Sequence, residues 1–189
     1  MDSSCGDGRN IPLLLKLGFN VFGTEISDQI CEKAQNNIRS LGVKLPKANL
    51  KKAFNNSLPF KNEFFDFLIS WNAIYYLNDE EQEISENFDE VSRVLKKGSY
   101  FIASVPGPKC FSILGAKKFS RSKAFINLQD KSNWSRILNK TAIHLFENKD
   151  SLANLLEKKF TNISISELNW DGFGTSPLHY FLFVAQKKT

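Results

Sequence analysis

Two glycines one residue apart, Gly6 and Gly8, follow the stub Asp2-Ser3-Ser4-Cys5 and lead through Arg9 and Asn10 into an apolar, helix-like run. Seventeen residues beyond Gly8 comes a carboxylate, Glu25, at the end of Val21-Phe22-Gly23-Thr24 and just before Ile26. A glycine-rich turn lets a ligand approach the main chain closely, because no Cβ stands in the way. The helix that follows aims its free N–H groups at that ligand. A carboxylate at the tip of the next strand can accept hydrogen bonds from both hydroxyls of a ribose. These residue types at this spacing describe a nucleoside-binding geometry.

Two further landmarks fit the same plan. Phe54 and Asn55 stand shortly before the turn-forming Leu58-Pro59-Phe60, and Ser70, Trp71 and Asn72 close the apolar run that starts at Phe64. Ligands of open parallel sheets bind beyond the carboxyl ends of the strands. All four landmarks fall at such ends, and their order along the chain says more than any one of them. Asp66 reads as a local capping or pairing carboxylate. The only candidates for a general base are Tyr75, Tyr76 and His144, by residue type alone. His144 and His179 are isolated, and Cys5, Cys31 and Cys110 form no CxxC pair. That pattern suits a reducing, cytoplasmic setting and no metal site.

The elements that must position these residues follow from periodicity. A short helix is expected over 9–17, with Pro12 tolerable only in its first turn and Gly18 ending it. A strand over 19–24 precedes Glu25. Ser27 caps a helix carrying Ile30, Ala34, Ile38 and Leu41 at helical spacing, ended by Gly42. A strand falls within 48–54. The run 64–70 suits a central parallel strand covered on both faces. Asn78 or Asp79 opens the next helix, whose stripe is Ile84, Phe88, Val91 and Leu95, closed by Lys96, Lys97 and Gly98. A strand over 100–105 is broken by Pro106-Gly107-Pro108. A helix from Asp150 and strands near 163–168 and 179–185 complete the chain. Alternating strands and helices predict an α/β fold: a Rossmann-like, mostly parallel sheet with helices on both faces and an antiparallel final strand.

At 189 residues, residues 1–189 are expected to form a single domain. No apolar run reaches the roughly 18 residues of a membrane span. A net charge of +5 is too mild to argue for nucleic acid. Residues 107–145 are long for one crossover and read as a lid or substrate insertion. They carry Lys109, Lys117, Lys118, Arg121, Lys123, Lys131, Arg136 and Lys140 against Asp130, interleaved with Phe111, Phe119, Phe125 and Trp134.

The chain resembles a class I S-adenosylmethionine-dependent methyltransferase of the small-molecule type. Residues 2–8 resemble the family's Asp-x-Gly-Cys-Gly-x-Gly loop, which wraps the methionine end of the cofactor, and Glu25 matches its ribose-binding acid. Phe54 and Asn55 stand where the family places adenine contacts. Phe65-Asp66-Phe67-Leu68-Ile69-Ser70 resembles its fourth motif, with Trp71-Asn72 at the methyl-transfer face, and 91–105 resembles its last helix-strand unit. The resemblance implies S-adenosyl-L-methionine as cofactor. It implies contacts from Asp2, Ser4, Cys5, Gly6, Gly8, Arg9, Asn10, Glu25, Ile26, Phe54, Asn55, Ser70, Trp71 and Asn72, and a small or medium-sized methyl acceptor. Ser4 stands where the family has its first glycine. The family's N-terminal helix and most of its first strand have no counterpart, so an empty slot with unpaired main-chain groups is expected between the strands ending at Glu25 and Ser70. The alternative is a non-catalytic methyltransferase-like binding domain. A nicotinamide-dependent oxidoreductase is disfavoured, since its third glycine falls at Ile11.

Overall fold

The computed structural model describes residues 1–128, 138–174 and 176–189. The strands are β1 (Gly23–Glu25), β2 (Leu50–Lys52), β3 (Phe65–Trp71), β4 (Leu95–Pro106), β5 (Lys117–Lys118), β6 (Lys123–Phe125), β7 (Ala142–His144), β8 (Phe160–Trp170) and β9 (Leu178–Lys187). The helices named here are α1 (Ile11–Lys16), α2 (Asp28–Ser40), α3 (Ile84–Val94), α4 (Phe111–Leu114) and α5 (Lys149–Leu156). β1 pairs with β2 and β3 with β4 in parallel, while β9 runs antiparallel to both β4 and β8. Asp2 bridges in parallel to both Gly23 and Ile69. The sheet therefore reads β2-β1-(residues 1–3)-β3-β4-β9-β8, the expected α/β architecture with its antiparallel final strand.

The expected empty slot is partly filled. Asp2 donates to Phe22 O at 2.8 Å and accepts from the Thr24 N–H at 3.1 Å, and Ser3 donates to Ile69 O at 2.8 Å. Met1 O accepts from the Ile69 N–H at 2.8 Å, and the terminal ammonium donates to Phe67 O at 2.7 Å. Three residues thus join the two halves of the sheet and satisfy the groups nearest the site. Beyond them aromatic rings meet across the slot. Phe22 packs edge-on against Phe60, Phe64 and Phe65, and Phe19 against Phe67. The strand expected over 19–24 shortens to Gly23–Glu25, because its ladder starts only where Gly23 meets Leu50.

Ser27 caps α2 as expected, accepting from the Ile30 N–H at 3.3 Å. α3 starts later than expected. Asp79 Oδ1 accepts from the Glu81 and Gln82 N–H groups, and Gln82 Oε1 accepts from the Asn78 N–H, which closes a separate turn. Glu83 and Glu86 then form a reciprocal capping box. α3 also ends earlier, at Val94. Leu95 pairs with Phe65, and Lys96 reaches Asp66 at 2.7 Å, the local role expected of that carboxylate. Lys96, Lys97 and Gly98 sit in an irregular stretch of β4, not in a helix terminus; Gly98 has φ +73° there.

α3 and α5 cover one face of the sheet through Phe88, Phe101, Phe160, Phe181 and Phe183, all buried. The expectation that the β3 run is covered on both faces does not hold. Its burial alternates, and Phe67 stacks on an equally exposed Tyr100 with centroids 6.0 Å apart. A smaller core joins α1 and α2 to β1 and β2 through Ile11, Ala34, Ile38 and Leu50. In the insertion, β5, β6 and β7 form a small antiparallel sheet. Ala124, Ile126, Ala142 and Ile143 belong to the main core, so the described part of 107–145 packs onto the sheet domain. Asp130, Lys131, Trp134 and Arg136 lie outside the described residues.

Candidate active site

The turn between residue 3 and α1 has three left-handed positions: Ser4 at φ +53°, Gly6 at +60° and Gly8 at +75°. At Gly8 a Cβ would stand 2.8 Å from Ile38 Cδ1, so glycine is what lets α2 close against the turn. At Gly6 a Cβ would meet nothing within 4 Å, which leaves open space against the main chain. Ser4 stands where the resembled loop has glycine, and the structure uses its hydroxyl. Its hydroxyl donates to Asn55 Oδ1 at 3.0 Å, and its N–H donates to Thr24 Oγ1 at 3.2 Å. Cys5 adds a main-chain bond to Thr24 O at 3.0 Å.

Glu25 ends β1 beneath this turn. One carboxylate oxygen accepts from the Gly6 N–H and the other from the Ile26 N–H at 3.0 Å. Burial raises its pKa, and those two N–H groups oppose the rise. An ionised carboxylate offers about four lone-pair sites, so two are left for a ligand. Asp2 is 1% exposed, and neither of its oxygens has a donor in hydrogen-bond geometry. Burial pushes its carboxyl up to about 7, against the pull of the terminal ammonium and of the nearby Asn10 amide. An orphaned carboxylate of this kind invites a cationic ligand group.

Asn55 connects the third landmark to the fourth, its amide donating to Ala73 O at 2.9 Å. Phe54 is partly exposed beside it. Asn72 adopts φ +56° and donates its N–H to Ser104 Oγ at 2.9 Å. The structure thus brings together Asp2, Ser4, Cys5, Gly6, Gly8, Asn10, Glu25, the Ile26 N–H, Asn55 and the segment after β3. Other candidates stand apart. The Arg9 side chain is 69% exposed and held by Asp7 at 2.9 Å. Ile26 contributes its N–H while its side chain faces solvent. Ser70 is 0% exposed, sealed in the core, and Trp71 lies exposed on the sheet. His144 is pushed down to about 4 by burial and has Glu83 and Lys123 as its charged neighbours, away from the turn.

Sequence reading missed Thr24, Ser104, Cys110 and Tyr180. Thr24 and Ser104 show their roles only through main-chain N–H groups brought from distant segments. Tyr180 comes near Asn72 and Cys110 only once β9 lies beside β4.

A methyltransferase domain profile matches residues 1–103, more than half of the chain. The chain belongs to the methyltransferase domain family. No curated protein matches this methyltransferase domain by sequence. Among solved structures, a protein from Pyrococcus horikoshii is 22% identical, with a TM-score of 0.72 over 99% of this chain and 80% of its own. An S-adenosylmethionine-dependent methyltransferase from Methanosarcina mazei is also 22% identical, with a TM-score of 0.71 over 99% and 91%. Another from Clostridium acetobutylicum is 16% identical, with a TM-score of 0.66 over 100% and 83%. At these identities the likeness concerns the fold, which is that of the class I S-adenosylmethionine-dependent methyltransferases. No helix among the described residues is long and apolar enough to cross a membrane.

Proposed function

We propose that this methyltransferase domain binds S-adenosyl-L-methionine and moves its methyl group to a small or medium-sized acceptor, chiefly by binding and aligning the two. The observation that carries the reading is the pair of buried carboxylates flanking a left-handed glycine turn: Asp2 without a donor, and Glu25 with lone pairs to spare. The residues fit the group. Asp2 takes the ammonium of the methionine end, with Asn10 beside it. Glu25, held by the Gly6 and Ile26 N–H groups, takes the ribose hydroxyls. The space at Gly6 admits the ligand, Ser4, Cys5 and Gly8 shape the turn, and Phe54 and Asn55 flank the adenine. Asn72 lies at the transfer face, and the described residues of the 107–145 insertion border the acceptor side.

When bound, the cofactor supplies a methyl group already activated by its sulfonium, so alignment is the protein's main task. Burial raises the pKa of Tyr75 and Tyr76, which keeps both protonated, and the His144 side chain, although the residue's main-chain N–H donates to Tyr75 O, has Glu83 and Lys123 as its charged neighbours. Titration calorimetry with S-adenosylhomocysteine, the unreactive product, tests the reading. Hydrogen bonds to a charged acceptor are worth about 1.5–3 kcal/mol, so Glu25→Ala should weaken binding by roughly one to two powers of ten. Glu25→Gln should fall between. Equal binding by wild type and Glu25→Ala refutes the ribose assignment. No heat from wild type at millimolar ligand leaves a non-catalytic scaffold as the better reading.

A further inference from the structure

Side chains from three separate segments meet beyond the carboxyl ends of β3 and β4. Asn72, Tyr75 and Tyr76 follow β3, Cys110 follows the turn after β4, and Tyr180 stands near the start of β9. His179 ties that turn down. Its Nδ1 accepts from the Lys109 N–H at 3.1 Å, its carbonyl accepts from the Gly107 N–H at 2.8 Å, and a Cβ at Gly107 would stand 2.5 Å from the imidazole. Cys110 is thereby brought beside Tyr180, which stands on β9 opposite Pro106, and the Asn72 side chain lies near the same hydroxyl from the end of β3. Tyr75 donates to Tyr76 at 3.1 Å, with ring centroids 4.5 Å apart. Asn55, bonded to Ser4 in the glycine turn, donates to Ala73 O between Asn72 and Tyr75, which sets the cluster beside that turn.

The chemistry of the cluster is narrow. It holds phenols, an amide and a thiol, with no cation. Burial raises the pKa of all three phenols, so they serve as hydrogen-bonding groups and not as bases. Glu25 is the carboxylate whose charge reaches Tyr76, so with the neutral thioether product in place an anion would be buried beside a like charge with no counter-charge from the cluster. Asn72 Oδ1 is buried and has no donor, which calls for an N–H or O–H from outside the chain. Proton traffic separates the two. An alcohol must lose its proton as its oxygen is alkylated, and that needs a base. A neutral nitrogen attacks with its lone pair and sheds its proton afterwards.

We propose that Asn72, Tyr76 and Tyr180 form the acceptor subsite, and that it takes an uncharged nitrogen nucleophile carrying at least one N–H. The inference rests on the methyltransferase reading above. In the transfer the nitrogen lone pair forms the new N–CH3 bond as the S–CH3 bond breaks. The electron pair of the broken bond returns to sulfur, leaving a neutral thioether, and the methylated ammonium then gives its proton to water.

Three probes on one ring frame test this: aniline, phenol and benzoate. Each is titrated into protein saturated with S-adenosylhomocysteine, and each is incubated with S-adenosylmethionine to follow product release. Aniline should bind and be methylated, phenol should bind without being methylated, and benzoate should not bind. Tyr180→Phe should weaken aniline binding by about tenfold while S-adenosylhomocysteine affinity holds. Asn72→Ala should raise the KM for aniline. Should Tyr180→Phe fail to fold, Tyr76→Phe carries the same test. The proposal is overturned if benzoate binds more tightly than aniline, if phenol is the better substrate, or if aniline neither binds nor reacts. It is overturned too if the substitutions leave aniline binding unchanged. Failure of wild type to bind S-adenosylhomocysteine is a different result and removes the methyltransferase reading itself.

Discussion

The hydroxyl of Ser4 donates to Asn55 Oδ1 at 3.0 Å, which ties the turn before α1 to the loop after β2. The Asn55 amide passes the connection on to Ala73 O, after β3. One non-glycine residue in a glycine turn thus links three strand ends around the site.

Ser4 gains that bond while holding a left-handed backbone at φ +53°. The bond is worth about 1 kcal/mol and the strain costs about 1–2 kcal/mol. Ser4→Ala keeps the strain and loses the bond, so it should be destabilised by about 1 kcal/mol. Ser4→Gly loses both and should match wild type within about 1 kcal/mol. Urea unfolding of the three proteins decides this; equal stability of the Ala and Gly variants would mean that the position carries no strain.

The two glycines should separate stability from binding. Gly8→Ala places a methyl against Ile38 and keeps a positive φ, and should cost about 2–4 kcal/mol. Gly6→Ala meets open space, so its cost should be only the backbone strain, about 1–2 kcal/mol. Its methyl should nonetheless weaken S-adenosylhomocysteine binding, because it occupies the ligand's approach. Melting curves and calorimetry on both variants check the split. Undiminished binding by Gly6→Ala would place the ligand elsewhere.

Asp2 should make cofactor binding pH-dependent. Without ligand its carboxyl titrates at about 7, and an ammonium partner favours the ionised form. Binding below that pH must expel a proton, so affinity should rise with pH by at most about tenfold per unit and level off near neutrality. Asp2→Asn should flatten the rise. Calorimetry in two buffers of different ionisation enthalpy counts the released proton, and a count of zero at pH 6 contradicts the assignment.

His144 should make stability fall in acid. Burial lowers it from 6.5 to about 4, with a smaller raising effect from Glu83 and a smaller lowering one from Lys123. Between those values the unfolded chain holds a proton that the folded chain does not. Stability is therefore lost as pH falls from about 6.5 to about 4, by up to about 2–3 kcal/mol. Asp2 works in the opposite sense: its raised pKa removes stability as pH climbs from about 3.8 to about 7. The comparison of wild type with His144→Phe isolates the histidine. Wild type should lose more unfolding free energy between pH 7 and pH 4.5 than the variant, and parallel losses would refute the assignment.

What the sequence determined by itself was local. Gly6 and Gly8 mark left-handed turns because other residues are strained there, Ser27 caps α2 through its own side chain, and Gly42 follows its end. The alternation of short apolar runs with helical stripes set the parallel sheet, and the order of the motifs set the family. Tertiary structure decided whatever depends on a distant partner. Asp79 was drawn into a turn by Gln82, and Leu95 left the helix because Phe65 offered it a ladder. Residues 1–3 joined the two halves of the sheet because β1 and β3 both present free main-chain groups there. Tyr180 reached Asn72 only when β9 paired with β4, and a contact between residues more than a hundred positions apart leaves no periodic trace in the chain.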